Sequence, residues 1–357
     1  MEDLKKLRKA IDDVDKELVK ILDERARLAK EIGEKKARAG KDFFDPARQK
    51  AILDRVIKHG SGTFPLDGLK AVFTEIMSTC LNLEKKLCIG FLGPVATYSH
   101  LAVISEFGSS CELMPYDNIY DIFLAVDNNW VHFGLVPIEN STGGIVHHTL
   151  DRFLEFNVKI VSEVIVYIRH NLLSNNPLKQ IKRVYSNPQA LTQCHVWLRE
   201  NLPHAELIET PSTTQGVITA KKSRTGAAIG SELAARLYDI NIAAGGIEDI
   251  KDNYTRFLVL GKTTPPPSGK DKTSIMFSTK DKPGALHSAI KPFADAGINM
   301  SKIESRPTRR KAWEYVFFVD LHGHIEDQKL RSTLKKVERH TTFLTVLGSY
   351  PQARIYR

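Results

Sequence analysis

Cysteine is scarce in this chain of 357 residues, and the four present (Cys80, Cys88, Cys111, Cys194) fall into neither CxxC pairs nor histidine-spaced ligand patterns. That argues for reduced thiols and against a zinc site. The twelve histidines include His147-His148 but no HExxH, so no metal is expected. Long apolar runs are missing too: none approaches the ~20 residues of a membrane span. Met1-Glu2-Asp3-Leu4-Lys5-Lys6 lacks the apolar core of a signal peptide, which makes a cytoplasmic protein the expectation. There is no GxGxxG, and Gly90 and Gly93 have the wrong spacing for a dinucleotide turn, so a nicotinamide-dependent dehydrogenase is disfavoured and no cofactor is expected. Aromatic-basic motifs are absent as well. The net charge of +9 is dispersed, and its densest run, Arg309-Arg310-Lys311, reads as a solvated hairpin, so nucleic acid is not the expected partner. Anionic small molecules fit the charge better.

What is present is the composition of a globular protein, 42% apolar and 26% charged. The length points to two or three domains. From 4 to 32, Leu4, Leu7, Ile11, Val14, Leu18, Ile21, Leu28 and Ile32 recur at steps of three and four, the stripe of one long amphipathic helix. Arg25 stands where an apolar residue of that stripe is due, and a charge on a buried stripe needs a partner. Lys36 lies eleven residues on, about 20° around and roughly 16 Å along the helix, so both cations can reach one small dianion. Arg8, roughly 25 Å before Arg25 and turned by ~100°, cannot easily serve that site from the same helix. Asp45-Pro46 opens a second helix as N-cap and first position, and a third runs from Leu66 to Lys86 with Cys80 and Glu84 one turn apart.

Arg8, Arg25, Lys36, Asp45, Arg48, Gln49, Cys80 and Glu84 resemble the active-site series of the all-helical chorismate mutases over residues 1–88. The resemblance implies an intertwined dimer in which Arg8 serves the partner's site. It also implies chorismate binding by all eight residues, with Lys36 and Glu84 facing the ether oxygen. Relatives carry glutamine at position 84 and glutamate at position 49. A glutamine donates at any pH, whereas Glu84 donates only when protonated, so mutase activity should fall as pH rises through its titration.

After residue 86 strand-like and helical runs alternate, an α/β pattern with strands at Leu87 to Leu92, Phe133 to Ile138 and Lys159 to Ile168. Strand ends in such sheets carry ligands. Here they are rich in neutral donors: 93–99 with Thr97, Tyr98 and Ser99; 137–144 with Asn140 and Ser141; 186–191 with Asn187 and Gln189; 211–214 with Ser212 and Thr213. The run Asn253-Tyr254-Thr255-Arg256-Phe257 follows, heading an apolar strand. The ordered set resembles the prephenate dehydratase domain over 87–262, most specifically at Glu139-Asn140-Ser141 and Thr255-Arg256-Phe257. The resemblance makes Thr255 the catalytic donor to the C4 hydroxyl of prephenate, with Arg256 holding charge nearby. Thr97, Ser99, Asn140, Ser141, Asn187, Gln189, Ser212, Thr213 and Phe257 are implied as further substrate contacts. Ala96, Tyr98 and Asn187 stand where relatives commonly have glycine, phenylalanine and histidine.

Residues 263–272 form a proline-stiffened linker, and 273–352 follow a βαββαβ ferredoxin-like order. Its strands are expected at Thr273 to Ser278, Ile298 to Ser305, Trp313 to Leu321 and Phe343 to Leu347. Gly284-Ala285-Leu286 and Glu304-Ser305-Arg306-Pro307 resemble the two phenylalanine-contact motifs of ACT regulatory domains on prephenate dehydratases. The expected protein is therefore multidomain, with all-α mutase helices, a two-lobed α/β dehydratase and an α+β regulatory module. It would be a homodimer or larger assembly that is inhibited by phenylalanine. Arogenate in place of prephenate, or a non-catalytic amino-acid sensor, are the alternative readings; a sensor has no need for Arg25 and Lys36 in an apolar seam.

Overall fold

In the computed structural model the described residues are 2–40, 42–60, 62–307, 315–353 and 355–356, without the side chains of Glu2, Ile355 and Tyr356. Trp313 and the Arg309-Arg310-Lys311 run therefore lie outside the described residues. The chain forms two compact units, one of 1–88 with 106–112 and one of 89–105 with 113–357.

The first unit is built on helices α1 (Glu2–Arg38), α2 (Pro46–His59) and α3 (Leu66–Glu84). Asp45 caps α2, its carboxylate accepting from the Arg48 amide, with Pro46 in the first turn where its missing N–H costs nothing. α1 and α3 approach closely at Gly33, where a Cβ would come within 2.9 Å of the Glu84 Cα. The α1 stripe is left open by the described residues: Leu7, Ile11, Val14 and Ile21 are each about 60% exposed.

In the second unit β1 (Cys88–Leu92), α4 (Tyr98–Phe107), β2 (Glu112–Tyr116), α5 (Ile119–Asp127), β3 (Phe133–Asn140), β4 (Gly144–Ile145), α6 (His147–Arg152) and β5 (Lys159–Tyr167) build one lobe, although the ends of β1, α4 and β2 reach into the first unit. A second lobe contains β6 (Asn171–Leu173), β7 (Arg183–Ser186), α7 (Pro188–Gln193), α8 (His195–Asn201), β8 (Glu206–Glu209), α9 (Thr213–Lys222), β9 (Gly226–Gly230), α10 (Glu232–Leu237) and β10 (Ile242–Ala244). The chain then returns as β11 (Tyr254–Gly261) to the first lobe. There β11 lies between β5 and β3 in a seven-stranded sheet, while the second lobe holds a five-stranded sheet in the order β10-β6-β9-β7-β8. Strands β3, β5 and β11 are nearly continuous apolar runs because both of their faces are covered.

The third sheet comprises β12 (Asp271–Ser278), β13 (Met300–Pro307), β14 (Tyr315–His322) and β15 (Phe343–Pro351), with α11 (Ala285–Asp295) and α12 (Gln328–Glu338) as its crossovers. Its order, β13-β14-β12-β15, is that of a ferredoxin-like sheet. Ile275, Phe277, Phe293, Leu330 and Val337 make its core. A last short strand, β16 (Ile355–Tyr356), returns to pair in parallel with β5.

Candidate functional site

In the helical unit, Arg25 and Lys36 on α1 meet α3 in the same order along both helices. Arg25 donates to the Ile76 carbonyl at 3.4 Å. Lys36 Nζ donates to Glu84 at 2.9 Å and to the Phe43 carbonyl at 2.9 Å. Cys80, buried, lies one turn before Glu84 on α3. Asp45 is engaged as the cap of α2; the Arg48 side chain is exposed and Gln49 half-buried beside it. Arg8 is far along α1 and exposed. The unit thus gathers Arg25, Lys36, Cys80 and Glu84 along one helix pair and leaves Arg8 apart, as helix geometry requires.

The second site is organised around Asn140, the last residue of β3. Its Oδ1 accepts from the backbone amides of Thr142 (3.1 Å) and Gly143 (2.7 Å), and from the Thr142 hydroxyl (2.8 Å). Those backbone donors fix the orientation of the amide. Nδ2 is consequently turned to Asn253 Oδ1 (2.8 Å) and Thr255 Oγ1 (2.9 Å). Because Thr255 accepts from Asn140, its own O–H hydrogen remains available for another acceptor. Ser141 ties the same loop down, receiving the Tyr254 amide at 2.9 Å and donating to the Asp252 carbonyl at 3.1 Å.

The network extends into the second lobe. Gln193 Nε2 donates to the Thr142 hydroxyl (2.6 Å), and its Oε1 accepts from Asn253 Nδ2 (3.2 Å) and contacts His170 Nε2 (2.8 Å). His170 Nδ1 lies 3.1 Å from the Tyr98 hydroxyl, which donates to the Arg169 carbonyl at 2.7 Å. Burial lowers the pKa of His170, outweighing the opposing effects of the Gln193 contact and Glu248, and so favours the neutral ring. Two chain segments cross between the lobes beside it, joined by Ile168 N to Asn253 O and Ile247 N to His170 O, both 2.8 Å. Asn253 and Thr142 lie within the 253–257 run and the 137–144 loop without having been singled out as site residues, whereas Gln193 and His170 belong to no motif and only their proximity in the fold marks them.

Several other predicted positions also make contacts within the chain. Asn187 and Ser212 cap α7 and α9, each accepting a backbone amide. Gln189 is packed against Gly143, where a Cβ would fall 2.4 Å from its Nε2, so a larger residue there would push the Gln189 side chain aside. Thr97 donates to the Pro94 carbonyl, while Ser99 and Thr213 are buried. Ala96 occupies left-handed backbone, φ 69°, which explains physically why glycine suits this position.

Arg256 departs from the expectation that it holds substrate charge beside Thr255. Successive strand residues face opposite sides, and Phe257, the next along, is buried in the core. The Arg256 guanidinium turns to Glu163, Glu139, Asp320 and Tyr350, carboxylates and a phenol that satisfy it fully on the side away from Thr255. Arg306 likewise pairs with Asp151 at 3.1 Å. Gly284, with φ 75°, precedes α11, while Ala285 is buried and Leu286 packs against the core of the sheet. Glu304, Ser305 and Pro307 lie on β13.

A helical pair gathering cations, a two-lobed cleft lined with neutral donors and an α+β sheet module define a multidomain enzyme for small anionic substrates with an appended regulatory domain. Residues 7–85 match the type II chorismate mutase family, 89–265 the prephenate dehydratase family and 273–339 the ACT domain. The chain is 45% identical to the bifunctional chorismate mutase/prephenate dehydratase of Aquifex aeolicus, with 99% of each chain covered, and 40% identical to that of Stutzerimonas stutzeri, with 98% of each covered. The solved prephenate dehydratase of Arthrobacter aurescens in complex with L-Phe superposes with a TM-score of 0.70 at 31% identity, covering 74% of this chain and 90% of that one. The chain belongs to the bifunctional chorismate mutase/prephenate dehydratases. It rearranges chorismate to prephenate and converts prephenate to phenylpyruvate, steps of aromatic amino acid biosynthesis.

Proposed function

We propose that the two reactions occur at separate sites, the rearrangement at Arg25, Lys36, Arg48 and Glu84 and the dehydration at Thr255 and Asn140, with phenylalanine acting as an inhibitor through residues 273–352. The rearrangement is pericyclic and needs no nucleophile. The cations hold the folded dianion and offset charge developing on the ether oxygen. Asp45, Gln49 and Cys80 shape the pocket. A second copy of the chain supplies Arg8 and covers the apolar stripe of α1, whose exposure supports a homodimer or larger assembly.

In the dehydration, decarboxylation releases the electrons that expel the C4 hydroxyl as the ring becomes aromatic, so one proton-bearing contact suffices. The observation that carries this reading is the 2.9 Å bond from Asn140 Nδ2 to Thr255 Oγ1. It uses the acceptor side of the hydroxyl and leaves the O–H to the leaving group. Thr97, Ser99, Ser141, Asn187, Gln189, Ser212 and Thr213 line the approach. Gly284 to Leu286 and Glu304 to Pro307 receive phenylalanine, as the naming of the Arthrobacter complex with L-Phe supports.

Feeding chorismate and following prephenate and phenylpyruvate separately tests the assignment. Thr255→Ala should accumulate prephenate, with dehydratase activity down by ~10²-fold or more. Arg25→Ala should lose the mutase yet still convert added prephenate. Loss of both activities in either variant would mean a shared site and sink the proposal. For the effector, dehydratase rates unchanged by millimolar phenylalanine would remove the claim.

A further inference from the structure

Two neighbouring rungs of the β11–β3 ladder face different parts of the second unit. Thr255 lies opposite Asn140, and the next pair is Arg256 opposite Glu139. The first rung is the one assigned to proton donation. The second is gripped from the regulatory sheet. Arg256 Nη1 donates to Asp320 on β14 at 2.7 Å and to Glu139 at 3.1 Å, its Nε to Glu163 at 2.6 Å, and its Nη2 to the Tyr350 hydroxyl on β15 at 3.2 Å. Lys302 on β13 pairs with the other oxygen of Glu139. Lys272 on β12 bridges both oxygens of Glu163, at 2.8 and 2.9 Å.

Arg256, Lys272 and Lys302 thus meet Glu139, Glu163 and Asp320, and the formal charges cancel. Arg256, Glu163 and Asp320 side chains are at most 9% exposed, so none of these three can be withdrawn without stranding a buried charge. Strand β13 adds a second grip, Arg306 to Asp151 on α6. Lys302, Glu304 and Arg306 alternate along β13 on its less exposed face. The residues that hold Glu139 and Asp151 therefore flank Glu304 of the phenylalanine motif.

We infer that Arg256 and Glu139 are positioning residues of the dehydratase, and that β13, through Lys302 and Arg306, sets the geometry of the Thr255–Asn140 rung according to the state of the regulatory sheet. A shift of β13 moves Glu139, the neighbour of Asn140 in the chain, and Glu139 shares Arg256 with Asp320. Displacing a proton donor by a fraction of an ångström lowers turnover while leaving most substrate contacts intact. The inference rests on the proposed roles of Thr255 and of phenylalanine.

The test is Lys302→Met and Lys302→Arg in the full chain, each assayed for mutase and for dehydratase kcat and KM with and without phenylalanine. Phenylalanine binding is measured by calorimetry. Lys302→Met is expected to lower dehydratase kcat about tenfold with KM within about twofold and mutase unchanged. It should also bring the ratio of uninhibited to inhibited rate close to one while phenylalanine still binds; Lys302→Arg should restore both. An unchanged kcat and an unchanged inhibition ratio in Lys302→Met would overturn the inference, as would a parallel loss in Lys302→Arg. Should Lys302→Met lose mutase or fail to fold, Asp320→Asn takes its place with the same criteria. Full dehydratase activity in Thr255→Ala, or no phenylalanine binding by the unaltered protein, would instead strike the proposed function and leave the kcat effect of Lys302 readable on its own.

Discussion

In the helical unit the polar groups that converge are charged and partly open to solvent, with Lys36 on Glu84 and Arg25 reaching a backbone carbonyl at 3.4 Å. In the cleft of the second unit they are neutral, and Asn140, Asn253, Gln193 and Thr142 satisfy one another over distances of 2.6–3.4 Å. Charges of the second unit gather in the buried network around Arg256 and in a cavity lined by Arg169, Arg236 and Lys251 beside Tyr98 and Tyr254, but none is a member of the network that holds Thr255. On the proposed assignment of the two sites, the difference teaches that two anionic substrates can be handled in one chain by opposite means. A rearrangement needs fixed charge close to a polarised bond, and cations on rigid helices supply it. An elimination driven by aromatisation needs one hydroxyl held at a defined angle, and a neutral network holds it without tilting the electrostatics of the leaving group.

The comparison breaks most sharply at Asn140. Asn140→Ala removes the donor to Thr255 and strands two backbone amides; dehydratase kcat should fall ~10²-fold in steady-state assays, with mutase untouched. A dehydratase indifferent to this change would show that the neutral network is scaffolding only.

Acid stability sharpens the contrast next. Burial alone would raise the pKa of Asp320, but Arg256 and the Ser274 hydroxyl outweigh it and hold it below the ordinary carboxylate value. In Glu139 burial is likewise outweighed, by Lys302 and Arg256. Depressed folded values mean that this stability is complete above the unfolded pKa and lost as pH falls through the folded one. Urea unfolding followed in the second unit should therefore weaken from about pH 5 downward, at ~1.4 kcal/mol for each unit by which Asp320 is held down. Asp320→Asn should flatten that slope and lower the plateau.

A smaller effect concerns Glu84. Glu84 accepts from Lys36 at 2.9 Å; Glu84→Gln, whose amide can also donate at any pH, should change mutase kcat by less than about tenfold and leave the dehydratase untouched, and an unchanged mutase rate would remove Glu84 from the site. Smallest of all is Ala96→Gly, which relieves left-handed strain at a net gain of about 0.5–1 kcal/mol, visible as a modest rise in Tm with both activities kept.

Much of this was legible beforehand. The stripe from Leu4 to Ile32 is α1, Asp45-Pro46 is the start of α2, and the βαββαβ order of 273–352 is the third sheet. The direction of Arg256 was also written in the sequence, since neighbours on a strand cannot both face one cleft. What hid its partners is distance along the chain: Glu163 and Asp320 stand 93 and 64 residues away, and nothing local announces a carboxylate that arrives from another sheet. Gln193 and His170 were invisible for the same reason. Asn187 and Ser212 show that one local pattern serves two purposes, because a side chain that caps a helix and one that contacts a ligand present the same residue types at the same loop.

Strand β16 carries a consequence for how the chain would behave under proteolysis. The regulatory sheet is joined to the catalytic lobe through the 262–270 segment at one end and through the pairing of Ile355–Tyr356 with β5 at the other. The first-lobe sheet thus borrows an edge strand from beyond the ACT module. A single nick in the 262–270 segment leaves the two pieces woven together, so the module is released by unfolding rather than by cutting.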